Sequence, residues 1–260
     1  MSADSKYYPW LPFVTLLRKE ILRFMRVSTQ TLLTPIVTAS LYLFVFGATL
    51  GDRLHVLPGF SYAQFVVPGL IIMGVINNTF ANTSSSLFMS RYLGGIVDLL
   101  VTPVSPPQFI MAYTLAAMLR GLLVGTVVWL ISTVFAALPW ESPLLAVLMA
   151  VIASFLFAQF GLIAAIYAHN FDTLSMYSNF LILPLVYLGG VFYPISILPD
   201  PWGTFSYLNP LFYLIDGFRH AIIGVGDTSY LVAFGVSFGI ATILFFWAAW
   251  LIGKGYRLRA

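Results

Sequence analysis

The chain contains no cysteine. Disulfides are therefore excluded, as is any thiolate metal site. Charge is almost as scarce. Asp, Glu, Lys and Arg make up 8% of the 260 residues, where a soluble domain carries roughly 25%. Such a chain cannot cover itself with a water-facing surface. A phosphate-cradling Gly-x-x-x-x-Gly-Lys-Ser/Thr loop is also missing; the string GKGY at 253–256 lacks the spacing and the hydroxyl. If the protein does active work, its motor is another chain, and no cofactor is expected here. His55, His169 and His220 are scattered, so no metal site is expected. Nor does a nucleophile–base–orienter set stand out, so no catalytic residue is assigned. No nucleic-acid partner is expected.

What remains is apolar. Hydrophobic residues are 60% of the chain, and the mean hydropathy is +0.94. Six runs are long and uncharged: Val27–Gly51, Leu54–Ser90, Leu99–Trp140 (broken by Arg120), Ser142–Phe171, Thr173–Pro199 and Thr228–Gly253. Each supplies the ~20 apolar residues that a helix needs to cross a bilayer. The alternation of a transmembrane β-barrel is absent, so the expected fold is an all-α membrane protein of six transmembrane helices in one domain, 1–260. With the N-terminus in the cytoplasm, Lys6, Arg18, Lys19, Arg23, Arg26, Arg91, Lys254, Arg257 and Arg259 are all inside, and Arg53 and Arg219 are outside. That bias places both termini in the cytoplasm. The aromatics, 17% of residues, suit interfacial belts or a substrate path.

Three segments are too polar or too broken to span. In residues 9–27, Trp10, Val14, Leu17, Ile21 and Phe24 share one helical face, and Thr15, Lys19, Arg23 and Arg26 oppose them. This predicts an amphipathic interface helix whose basic face, with Arg18, either anchors the topology against anionic lipid or also touches a cytoplasmic partner. Residues 84–106 form the one sizeable cytoplasmic connection. Two short helices are expected there around Gly94–Gly95, with Arg91 and Asp98 exposed for a soluble partner, and Pro106–Pro107 starting the third span. Residues 196–226 carry Pro199, Pro201 and Pro210. Asn209 reads as an N-cap, Pro210 as the first helical residue and Gly224 as the stop. Leu211, Leu214, Ile215, Phe218 and Ile222 form an apolar side. Asp216, Arg219 and His220 share another side, expected to face water or a cavity on the outer face.

Taken in order, VVPGLIIMGVI (66–76), SRYLGGIVDLLVTPVSP (90–106), LRGLLVG (119–125), LILPLVYLGGVFYPISILP (181–199) and LNPLFYLIDGFRHAIIG (208–224) resemble the permease subunit of type-2 ABC exporters, within it the YadH-like bacterial inner-membrane branch. The resemblance runs along nearly the whole chain. It implies an interface helix, six spans and a re-entrant helical hairpin before the last. It implies a homodimer of this chain with two copies of an ATP-binding cassette ATPase, which holds the ATP and magnesium, exporting a substrate across the bacterial inner membrane. It implies an ATPase-coupling segment holding Arg91, Tyr92, Leu93, Gly94, Asp98 and Leu99; Asn209, Asp216, Arg219 and His220 are then expected to form an outer gate, with Asp216–Arg219 or an inter-protomer pair holding the exit closed. Since such permeases move drugs, lipid-linked glycans and lipo-oligosaccharides, an amphipathic or lipid-like substrate is expected. The alternative is a stand-alone secondary transporter or channel, which needs ionisable groups inside several spans; Arg120 alone qualifies.

Arg120 itself has two readings. It lies on the substrate path or dimer interface, meeting anionic or polar headgroups, or it is a structural cation bonded to carbonyls and span polar groups. Asn78, Asn82, Ser85 and Ser86 form a polar stripe that either lines the path or bonds to neighbouring helices. The Gly47/Gly51, Gly121/Gly125 and Gly235/Gly239 pairs suggest close helix contacts.

Overall fold

The computed structural model describes residues 10–45, 59–96, 102 and 104–257. Asp98, Leu99, His55 and the Gly47/Gly51 pair lie outside the described residues.

Among the described residues the elements are helical. The order is α1 (Leu11–Met25), α2 (Ser28–Val45), α3 (Tyr62–Tyr92), α4 (Pro106–Ser132), α5 (Pro143–Tyr167), α6 (Phe171–Leu188), α7 (Trp202–Tyr207), α8 (Pro210–Ile223) and α9 (Tyr230–Gly253), with a 3-10 turn at Ile195–Ile197. Six of them, α2, α3, α4, α5, α6 and α9, are long and apolar enough to cross a membrane. The six expected spans are present.

Local chemistry sets several boundaries. Ser61 and Gln64 close a capping box at the start of α3. Pro106 opens α4, as expected. Asn209 caps α8 by accepting from the Leu211 amide at 3.0 Å, and Gly224 ends that helix in the left-handed region at φ 74°. The fifth span stops at Leu188 rather than running toward Pro199, because Gly189 and Gly190 turn the chain, Gly190 with φ +81°.

The core is built around α3. It packs on α4, α5 and α8, while α9 packs on α5 and α8. Small residues permit the close approach. A Cβ at Gly121 would lie 1.9 Å from Thr79 Oγ1, and one at Gly161 would lie 2.0 Å from Thr83 Oγ1. Gly121/Gly125 is thus a packing pair, as its spacing suggests. Gly235 and Gly239 meet nothing within 4 Å of an added Cβ in the protomer. The spans α2 and α6 are the least covered, 17% buried each.

The bundle has two distinct ends. At one, α1 and the C-terminal ends of α3, α5 and α9 gather; Arg91 on α3 reaches Ile166 at the end of α5, and Arg257 lies over the Tyr167 ring. At the other, the start of α3 meets the α4–α5 connection and the 189–229 region. There, the amides of Glu141 and Ser142 donate to the Ile222 and Ala221 carbonyls at 3.1 and 2.9 Å. Two free carbonyls at the end of α8 are thereby satisfied. Trp140, at φ 52°, makes the turn that aims these amides.

Candidate functional site

Two buried polar clusters stand at the two ends, and both include residues singled out from the sequence. The first joins α1 to the middle of the bundle. Glu20 is 1% exposed. Its Oε2 accepts from Ser86 Oγ at 2.5 Å and from Arg23 Nε at 3.1 Å. Arg23 Nη2 also donates to Asn82 Oδ1 at 2.9 Å and to the Asn82 carbonyl at 3.0 Å. From α4, Arg120 donates to the same Asn82 Oδ1 at 3.4 Å and to Asn78 Oδ1 at 3.5 Å. The polar stripe of α3 thus binds two cations from two other helices. Arg120 is held by span amides at the long end of hydrogen-bond range, which satisfies a guanidinium weakly.

Within the protomer, this cluster sets which side of α1 meets the bundle. The face against the bundle is Leu16, Glu20 and Phe24, whereas Trp10 and Val14 are exposed. Arg18, Lys19 and Arg26 are exposed, but Arg23 turns inward. Polar partners on α3 decide the matter, because buried polar groups must be hydrogen-bonded. Sequence reasoning passed over Glu20. The available signal was a lone acid three residues before Arg23 on a helix rich in cations.

The coupling segment is also revised. Residues 84–92 continue α3 instead of forming a separate short helix. Arg91 is not free for a partner. Its guanidinium donates to the carbonyls of Ala165, Ile166 and Ala168, the last two at 3.0 and 3.4 Å, closing the C-terminal end of α5. Tyr92 and Leu93 are 66% and 71% exposed at the tip, next to Gly94 in the left-handed region.

In the second cluster the charged side of α8 meets a small cavity and not open water: about 120 Å³, lined by Phe65, Pro194, Asp216, Arg219 and Asp227. Asp216 and Arg219 are 0% and 2% exposed; His220 is half-buried. Asp216 accepts from the amides of Asp227 and Thr228 at 2.8 and 2.9 Å and from Thr228 Oγ1 at 2.8 Å, pinning the α8–α9 connection. Arg219 points the other way. It donates to the carbonyls of Gly190 at 2.5 Å and Phe65 at 3.3 Å, and its guanidinium lies 3.9 Å above the Phe65 ring. Burial pulls its pKa down to about 10, against the upward pull of Asp216 and Asp227, so it stays charged at neutral pH. His220 Nδ1 is 3.3 Å from the Thr228 carbonyl. Asn209 Nδ2 donates to the Leu185 carbonyl at 2.6 Å, tying α8 to α6. The four expected gate residues therefore act as fasteners within the protomer. The missed partners, Phe65, Gly190 and Val191, carry no polar side chain and gave no signal.

Two further cavities lie between the helices. One of about 520 Å³ lies between α3, α4, α5 and α8, lined by apolar groups including Ile71, Trp129, Trp140 and Phe218. One of about 160 Å³ lies between α2, α3 and α4, with Thr34, Thr38, Asn77 and Asn78 on its wall. Among the described residues no group of His, Asp and Glu has metal-binding spacing.

Residues 12–223 match the model of the ABC-2 type transporter family. Over 250 residues, the chain is 40% identical to the inner membrane transport permease YadH of Escherichia coli strain K12, covering 95% of this chain and 98% of that protein. It is 24% identical over 215 residues to nodulation protein J of Neorhizobium galegae, covering 82% of each. A match across most of the length, on a bundle whose six long apolar helices answer the same pattern, fixes the family: the chain belongs to the ABC-2 type transporters, as a membrane-spanning member.

Proposed function

We propose that this protein is the permease subunit of an ATP-binding cassette exporter of the inner membrane. Two copies would pair with two copies of a separate ATPase and move an amphipathic, lipid-like substrate outward. The observation that carries this reading is the family match over residues 12–223, joined to full-length similarity to a protein named as an inner membrane transport permease. The sequence has no nucleotide-binding loop, so the motor is a second chain. Its seat is the tip after α3, where Tyr92 and Leu93 project while Arg91 braces α5 from beneath. Both termini are cytoplasmic in this reading, α1 lies in the inner interface, and α7 and α8 form a re-entrant hairpin entering from outside. The apolar cavity of about 520 Å³ offers room for the hydrocarbon part of a substrate.

The test is co-purification followed by reconstitution. A stable complex with a cassette ATPase, whose hydrolysis responds to this chain in liposomes, supports the reading. Full transport by this chain alone overturns it in favour of a secondary transporter.

A further inference from the structure

Resting on that transport reading, we infer that Arg120 and Arg23 form a binding site for the anionic headgroup of an amphiphile taken from the inner leaflet. The site has three features. First, its charge is unbalanced. Two guanidinium groups converge on one amide oxygen, Asn82 Oδ1, at 2.9 and 3.4 Å, and one carboxylate, Glu20, pairs with Arg23 alone. Like charges held so close in a poorly solvated place repel, and a second anion relieves that repulsion.

Second, its hydrogen bonding is incomplete. Arg120 Nε and Glu20 Oε1 are buried without a partner. The two bonds that Arg120 does make are 3.4 and 3.5 Å long. Glu20 is 1% exposed, so its unpaired oxygen is a standing cost inside the cluster. A guanidinium fork with spare donors is suited to a phosphate or carboxylate.

Third, residues of the site or bonded to it line two open places. Arg23 lines a basic groove on α1 with Arg18, Lys19 and Arg26. Asn78, bonded to Arg120, lines the cavity between α2, α3 and α4. An anion drawn to the exposed cations of α1 meets Arg23, then Arg120, then the polar wall of that cavity. Its hydrocarbon lies along the sparsely covered α2. In this arrangement Glu20 is an internal competitor that occupies Arg23 when no ligand is bound.

The experiment uses the purified full-length protein in a neutral detergent, without any ATPase. Binding of dioctanoyl phosphatidic acid is measured by native mass spectrometry beside dioctanoyl phosphatidylcholine and inorganic phosphate. The wild type is expected to prefer the phosphatidic acid by about tenfold over the choline lipid, and R120Q to lose that preference. R120K is expected to keep part of it. E20Q is expected to bind the anionic lipid more tightly, an effect that a purely structural role for Glu20 does not produce. Equal binding of the two lipids, an unchanged R120Q, or unchanged or weaker binding by E20Q overturns the inference. So does inorganic phosphate binding as tightly as phosphatidic acid, which marks a free-anion site instead. If R120Q does not fold, E20Q and R120K, which keep hydrogen-bonding groups in place, decide the question. Selective binding without transport in the ATPase-containing system would refute the exporter reading while leaving this site standing.

Discussion

Arg219 lies with its guanidinium 3.9 Å above the ring of Phe65 and donates to the main-chain oxygen of that same residue. One side chain thus grips α3 through both its ring and its backbone, and through Gly190 it grips the turn after α6. Arg219→Ala leaves carbonyls unpaired and is expected to lower stability by about 1.5–3 kcal/mol, the worth of hydrogen bonds from a charged donor. Arg219→Lys is expected to recover a minor part, because an ammonium lacks the planar fork and stacks poorly. Thermal unfolding of the detergent-solubilised variants measures both.

Asp216 holds the next connection by a different route. Its carboxylate takes three hydrogen bonds from Asp227 and Thr228. Asp216→Asn keeps the shape but loses charge-assisted acceptance, so a loss of about 1.5–3 kcal/mol is expected. The local signature is faster hydrogen exchange at the amides of Asp227 and Thr228, with α3 unaffected. Equal exchange in wild type and variant would sink the assignment.

Glycine substitutions separate packing within the protomer from everything else. An added methyl at Gly121 overlaps Thr79 Oγ1, so Gly121→Ala is expected to destabilise by about 1–3 kcal/mol through overpacking. Gly235→Ala meets open space and is expected to leave the monomer's melting temperature unchanged or to raise it by about 0.5–1 kcal/mol equivalent through better helix propensity.

At the opposite end, Arg91 and its neighbours divide their labour. Arg91→Ala is expected to loosen the end of α5 and cost about 1.5–3 kcal/mol. Tyr92→Ala with Leu93→Ala removes exposed groups and is expected to leave the melting temperature unchanged, while ATPase stimulation in the reconstituted complex falls by about tenfold or more. A double variant that couples normally would move the motor's seat elsewhere.

The sequence made some parts of this plain. The capping signals at Asn209, Pro210, Gly224 and Pro106 each fell where the helices begin and end, because caps depend on residues a few positions apart. Gly121/Gly125 signalled a close contact for the same local reason. Other parts were hidden. The spacing of Thr15, Lys19, Arg23 and Arg26 placed Arg23 on a basic face of α1 turned to lipid, yet Arg23 reaches Asn82 on α3, and Leu16, Glu20 and Phe24 are the buried residues of that helix. Asp216 and Arg219 read as a wet face because they are charged, yet both are buried. Their partners are main-chain atoms from distant segments, and main-chain atoms leave no mark in residue identity.

The amino-acid sequence alone determined that this is a bundle of six apolar helices. In hydrocarbon every backbone amide must find its partner within its own segment, so long uncharged runs have one solution. It did not determine which face of each helix meets protein and which meets lipid. Both surroundings are apolar, so hydrophobicity cannot tell them apart. That choice was made in three dimensions, where the polar groups of Glu20, Arg23, Asn82, Arg120 and Arg219 found oxygens and donors on other helices and turned their own helices to reach them.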